Sequence, residues 1–271
     1  MENASVNPVI EFEHVSLSFD EKKVLTDISF RMDHAGTLIL LGVAGTGKSV
    51  LLKLALGLLK PDAGKIKVDG VDTVPLPEAK IRPIRKGMGM VFQEGALFDS
   101  LSVYENVAYP LREAGDHDEE RIETRVREVL GFVEMEHAIE KLPSELSGGM
   151  RRRVSIARAI ADRPGIMLYD SPTAGLDPVT AHTITVLIAK LRDAERVSSI
   201  VVTHRPQDGY VLANFRYVKG QQNLVPALTH GDNGSAPATR FMVLRDCGIY
   251  FQGTGPELAN EADTYLRKFL V

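Results

Sequence analysis

Gly42-Val43-Ala44-Gly45-Thr46-Gly47-Lys48-Ser49 decides how the rest of the chain reads. The stretch fits G-x-x-x-x-G-K-[ST], follows the apolar run TLILL at 37–41 and precedes KSVLLKLALGLL, whose apolar spacing is helical. Glycines there let successive backbone N–H groups turn into a concave nest for phosphates, and the following helix adds its positive end. Lys48 is placed to reach the β- and γ-phosphates of a nucleotide, and the Ser49 hydroxyl to ligate magnesium.

Upstream of this loop, IEFEHVSLSF and VLTDISFRM alternate apolar and polar residues and are separated by the turn residues DEKK and DHAG, so 9–41 reads as three strands. Downstream, the helix is expected to run to Leu59 and stop before Lys60-Pro61-Asp62-Ala63-Gly64, with a strand at KIKVDG. GMGMVFQ at 87–93 reads as a buried strand, and about 103–161 as largely helical. IMLYD (166–170), a helix over 179–194 and SIVVTH (199–204) then alternate as in a mostly parallel sheet, which sets the fold class as α/β. Residues 219–239, rich in Gly, Asn, Pro and Ser between strand-like FRYV and RFMVL, read as an exposed loop or loose hairpin.

Composition narrows the function. A net charge of -4 argues against a nucleic-acid partner. The N-terminus MENASVNPVIEFEHV lacks the basic and apolar regions of a secretory signal, and no apolar run approaches the roughly 20 residues of a membrane span. The single cysteine, Cys247, cannot close an internal disulfide and agrees with a reducing compartment.

Two further stretches carry chemistry. Asp170 ends the apolar strand IMLYD, where an acid suits a magnesium contact. Leu146-Ser147-Gly148-Gly149-Met150 is a polar glycine turn before the helical run RRRVSIARAI, and so a second phosphate-binding helix start. One nucleotide does not need both, and the simplest use is two copies facing head to tail, each closing the other's site.

With these motifs in order, the chain resembles an ABC-transporter ATPase subunit along nearly its whole length. The resemblance implies a P-loop NTPase core with an antiparallel β lobe and an inserted helical lobe, in one domain. The core would take about 1–98 and 162–271, the helical lobe about 99–161 and a C-terminal tail about 262–271. It makes ATP and Mg2+ the cofactors, bound by the loop from Gly42 to Val50, with Phe19 stacking on adenine and Ser147, Gly148, Gly149 and Asp177 completing the partner copy's site. Gln93 matches the Q-loop glutamine, a further magnesium ligand beside Ser49 and Asp170, and His204 matches the switch histidine. Lys48, Gln93, His204 and position 171 would carry catalysis.

Within that family, FQEGALFDSLSVYENVAYPLRE (92–113), Met150 in place of glutamine and the ending DTYLRKFLV are similar to the subgroup that powers phospholipid transport with Mce-type proteins, the maintenance-of-lipid-asymmetry class. That implies an ATP-bound homodimer, an integral membrane permease whose cytoplasmic helix docks near Gly95 to Tyr104 through Leu97 and Phe98, an Mce-domain lipid carrier, and a cytoplasmic subunit peripheral to the inner membrane. Tyr265, Leu266, Phe269 and Leu270 share a helical face that either packs on its own domain or meets the second copy. Arg151-Arg152-Arg153 is expected to be solvated or to face phosphate.

One departure stands out. Ser171 occupies the place of the family's general base or water-orienting glutamate, and a hydroxyl is too weak a base to replace it. Slow hydrolysis is the expectation, with an ATP-gated regulatory scaffold as the alternative. Glu94, beside Gln93, is either a substitute acid or a solvated loop charge.

Overall fold

The computed structural model describes residues 8–221, 224–227 and 239–269. Strands β1 (Ile10–Phe19) and β2 (Lys22–Met32) form an antiparallel hairpin, continued on β1's other edge by β4 (Ala63–Val68) and then β5 (Val71–Asp72). The turn between β1 and β2 is shorter than the sequence suggested. Lys22 and Lys23 pair with Phe19 and Ser18, since a lysine stem lies along a sheet surface while its charge stays in water.

The second sheet holds six strands in the order β12-β11-β3-β8-β7-β6. Its central strands are β3 (Thr37–Leu41), β8 (Ser198–Val202), β7 (Ile166–Asp170) and β6 (Met88–Val91), all parallel. On the other side of β3, β11 (Thr239–Arg245) is also parallel, and β12 (Gly248–Gly253) closes the edge antiparallel.

All of β3 is buried, and its alternation divides two cores. Leu38 and Leu40 join a cluster with Phe12, Phe30 and Leu51, while Ile39 and Leu41 join one that continues into the helical segment through Val91, Val154 and Ile122. Each such aliphatic side chain contributes about 1.5–3 kcal/mol of burial.

Helix α1 (Lys48–Ala55) stops earlier than expected. Gly57 turns left-handed at φ 65° and the Leu58 N–H bonds back to Lys53 O at 2.9 Å, a local glycine stop reached before Pro61; a Cβ on Gly57 would lie 2.9 Å from Ile81 Cγ2 of α2 (Glu78–Lys86). The helical segment contains α3 (Val103–Glu113), α4 (Glu119–Phe132) and α5 (Gly148–Ile160). Ser102 and Glu105 cap α3 reciprocally, which fixes where that helix begins.

The remaining elements are α6 (Pro178–Glu195), α7 (Pro206–Asn214) and α8 (Gly255–Asn260), with a two-residue antiparallel ladder joining β9 (Phe215–Arg216) to β10 (Val225–Pro226). Of the 219–239 segment, 219–221, 224–227 with β10, and 239 are described; residues 222–223 and 228–238 lie outside the described residues. In the tail, Leu266 is buried and Tyr265 and Phe269 pack on the chain's own core, their rings 5.5 Å apart. Leu270 lies outside the described residues.

Candidate nucleotide site

The parallel order β3-β8-β7 brings the C-terminal ends of three strands to one edge of the sheet, where ligands of open α/β sheets bind. From β3 springs the phosphate loop. Gly42 has φ 147°, and a Cβ on it would lie 2.7 Å from Leu244 O and 2.8 Å from Thr46 Oγ1, so only glycine lets the loop leave the strand here. Gly47 caps α1 in the left-handed region at φ 91°, with Leu25 of β2 against its Cα. The first hairpin therefore touches the loop, and Phe19, 45% exposed at the end of β1, belongs to that hairpin.

Lys48 is the most constrained side chain of the loop. It is 5% exposed, and its Nζ donates to the carbonyls of Gly42 at 2.9 Å and Val43 at 2.7 Å. Burial pushes its ammonium down to about 8, against the opposing pull of Asp170. Ala44 and Gly45 are exposed, Thr46 returns its hydroxyl to Val43 O, and Ser49 and Val50 are half-buried on the first turn of α1. The nest of backbone, the strained glycines and the cation fit a polyphosphate.

Asp170 ends β7 opposite Val202, and His204 follows β8 after Thr203. Burial and the Lys48 charge hold the His204 imidazole below its ordinary range; Asp170 and a hydrogen bond to the Gly42 backbone oppose them. Lys48, Asp170 and His204 thus share one electrostatic neighbourhood. Ser171 starts the next turn in a left-handed conformation, φ 49°, 3% exposed, with its N–H bonded to Val202 O at 3.0 Å.

Gln93 lies exposed just beyond β6. It lines a polar pocket of about 450 Å³ with Glu94, Gly148, Arg152 and Gly175, and no residue of the phosphate loop lines that pocket. Ser147 caps α5 by accepting from Met150 N, and Gly149 lets α5 approach α6 so closely that a Cβ would lie 2.3 Å from Thr180 Cγ2. Asp177 caps α6, accepting from the N–H groups of Val179 and Thr180, which with the Thr180 hydroxyl hold its carboxyl below the usual range.

The three arginines after this turn each hold a partner within the chain. Arg151 donates to Leu146 O, Arg152 is buried against Phe92 O, and Arg153 pairs with Glu134. They fasten α5 to the Q-loop and the helical segment. Glu94 is exposed, and its charge acts on Arg152.

One feature had no motif to announce it. Asp208, buried in α7, receives hydroxyls from the loops that carry Ser171 and His204. Beside the expected docking stretch, a groove of about 520 Å³ runs past Met90, Phe92, Phe98, Tyr109 and Arg158, with the exposed Phe98 ring tilted at 51° to Tyr109, their centroids 4.8 Å apart. Leu97 packs instead against the core. No helix among the described residues is long and apolar enough to cross a membrane.

Residues 25–174 match the family described as ABC transporter. The chain is 36% identical over 217 residues to the intermembrane phospholipid transport system ATP-binding protein MlaF of Haemophilus influenzae, covering 80% of this chain and 82% of that one. It is 38% identical over 195 residues to the probable ribonucleotide transport ATP-binding protein mkl of Mycobacterium tuberculosis, covering 72% of this chain and 54% of that longer one. Among solved structures, the dimeric post-hydrolysis state of the ATP-binding cassette MJ0796 with ADP and Pi superposes with a TM-score of 0.75 at 27% identity, over 90% of this chain and 98% of that one. A phosphate loop, a strand-end acid and a histidine on three adjacent strands, with a capped glycine turn opening α5, are thus found in a chain of matching sequence and shape: it belongs to the ABC transporter family, as an ATP-binding subunit of the ABC ATPase fold.

Proposed function

We propose that this chain powers a membrane phospholipid transporter of the Mce-associated kind, through ATP-driven closure of a homodimer and with slow hydrolysis. The observation that carries the first half is the convergence of Lys48, Asp170 and His204 at the ends of β3, β7 and β8 in a chain similar to MlaF. Family members hydrolyse ATP, dimerise and work with membrane permeases. The phospholipid cargo and an Mce-domain lipid carrier are this reading's own extension.

Lys48 would leave the carbonyls of Gly42 and Val43 for the β- and γ-phosphates, and Phe19 would stack on the adenine. Ser49, Gln93 and Asp170 would hold a magnesium ion, which when bound neutralises charge on the phosphate oxygens. Ser147, Gly148, Gly149 and Asp177 would serve the second copy's nucleotide, since they stand apart from the phosphate loop of their own chain. The groove at Phe98 and Tyr109 would receive the permease's cytoplasmic helix and so place the subunit peripherally on the inner membrane.

Ser171 carries the second half. Its buried hydroxyl offers no base at neutral pH, while His204 and Lys48 remain to stabilise charge in a loose phosphoryl-transfer transition state. Ser171→Glu is expected to raise the ATPase rate at least about tenfold without tightening ATP binding. A serine form that already turns over as fast as its glutamate variant would show that the base comes from elsewhere, with Glu94→Gln the next substitution to assay. The same residue favours one alternative, an ATP-gated scaffold that closes and opens with little turnover. Steady-state ATPase measured with and without the permease separates the two, because only a transport motor is accelerated by it.

A further inference from the structure

The loop that carries Ser171 and the loop that carries His204 leave different strands, and both send a hydroxyl to the same atom. Thr173 Oγ1 donates to Asp208 Oδ2 at 2.5 Å, and Thr203 Oγ1 donates to it at 2.8 Å. The other carboxylate oxygen, Oδ1, lies 3.2 Å from Thr185 Oγ1 of α6 and 3.7 Å from the Arg205 guanidinium. All three threonines are at most 2% exposed, and Asp208 is 5% exposed. Thr203 Oγ1 also accepts from Arg205 N at 3.0 Å, which fixes the turn on either side of His204.

A buried carboxylate is costly unless its lone pairs are filled, and here they are filled by hydroxyls from three segments, the post-β7 loop, the post-β8 loop and α6. The three threonine hydroxyls are shared between both carboxylate oxygens, two on Oδ2 and one on Oδ1; an asparagine keeps a single acceptor oxygen and would turn its NH2 donor toward one side of the cluster. A residue that merely seated α7 would find partners along α7's own packing face. Asp208 instead takes its two shortest bonds from the residue two beyond Ser171 and the residue just before His204.

We propose that Asp208 is a positioning residue for the ATPase site: it binds the post-β7 and post-β8 loops into one rigid unit, so that position 171 and the His204 imidazole keep a fixed separation as the site closes. The inference rests on the ATPase reading for its consequence, but its geometry can be tested without turnover. Geometric errors of about 1 Å at a reacting centre reduce rates by about a hundredfold, so a slackened clamp acts on kcat more than on nucleotide affinity.

The experiment compares the full chain with Thr173→Val, Thr203→Val, their conservative counterparts Thr173→Ser and Thr203→Ser, and Asp208→Asn. The first readout is the nitrogen-15 imidazole spectrum without nucleotide, at about pH 8, where an imidazole is neutral. His204→Gln assigns the signal. Thr173→Val is the decisive variant, because Thr173 sits on the other loop and its hydroxyl bonds to Asp208, so the substitution leaves the bond between Ser171 N and Val202 O in place. The His204 signal is expected to move and broaden in both valine variants and in Asp208→Asn, and to return in both serine variants. The second readout is kinetic, in the Ser171→Glu background: kcat falls about tenfold or more in the valine variants, KM for ATP stays within about twofold, and serine restores kcat.

An unmoved His204 signal in Thr173→Val overturns the proposal, as does a moved signal that serine does not restore. If Asp208→Asn fails to fold, the threonine pairs still decide. If no variant hydrolyses ATP, the ATPase reading has failed while the imidazole spectrum still tests the clamp.

Discussion

Lys48 makes nucleotide affinity depend on pH in a direction the structure fixes. In the free chain burial pushes its ammonium from 10.5 down to about 8, although Asp170 works against this. Among triphosphate oxygens the charged form regains a strong partner, so the complex should titrate at or above the ordinary value of about 10.4. A lysine depressed in the free chain and restored in the complex takes up a proton on binding, and affinity therefore falls as pH rises through about 8. At about pH 7 roughly a tenth of Lys48 is neutral in the free chain, and at about pH 9 roughly nine tenths, so the apparent affinity should drop about tenfold between them.

Calorimetry with a non-hydrolysable ATP analogue and magnesium, in buffers of different ionisation enthalpy, measures both quantities. Proton uptake should be about one half at pH 8 and nearly complete at pH 9. Lys48→Arg, charged throughout, should abolish the dependence whatever its affinity. Flat affinity and no proton uptake in the unaltered chain would refute the reasoning. The same shift has a second sign to check: between about 8 and 10.5 the unfolded chain binds the proton more firmly, so the nucleotide-free protein should gain stability as pH rises through that window.

Three other outcomes can be measured on the same protein. Gly149→Ala should lose about 1–3 kcal/mol in urea unfolding, because its Cβ would sit 2.3 Å from Thr180 Cγ2; adding Thr180→Ser, which removes that methyl and leaves the nearest atom at 3.7 Å, should recover the loss. Tyr169→Phe should stabilise by about 1 kcal/mol in the same assay, since the Tyr169 hydroxyl is fully buried and has no hydrogen-bond partner among the described residues. Light scattering should show ATP and magnesium closing a dimer that Lys48→Ala cannot form, whereas Ser147→Arg should block closure and spare nucleotide binding to the single chain.

Much of this was readable because its signals are local. The strand before Gly42 and the helix after Lys48 lie within one short window, and IMLYD announces β7 residue for residue. Contacts between distant segments were not readable. The close approach of Ile81 to Gly57, which leaves no room there for a side chain, is announced by nothing near Gly57. Helices α2, α7 and α8 carry Pro83, Pro206 and Pro256, which blur a helical reading in short segments. The arginine run looked like a charged surface, yet Arg152 spends its charge on the Phe92 carbonyl. Asp208 was invisible for the plainest reason: its partners are Thr173, Thr185 and Thr203, three unremarkable residues that only the fold brings together.

The strand order has a consequence for how the protein comes into being on the ribosome. β3 emerges early, but its sheet neighbours are β8 and β11, so the strand that aims the phosphate loop stays unpaired until Ser198–Val202 and then Thr239–Arg245 have been made. The first hairpin can form on its own schedule, being local, whereas the loop cannot take its shape. During that interval Thr37–Leu41, apolar and open on both edges, is the segment most in need of a chaperone. Nascent chains released before β8 should not be retained by immobilised ATP, and competence should appear late in synthesis.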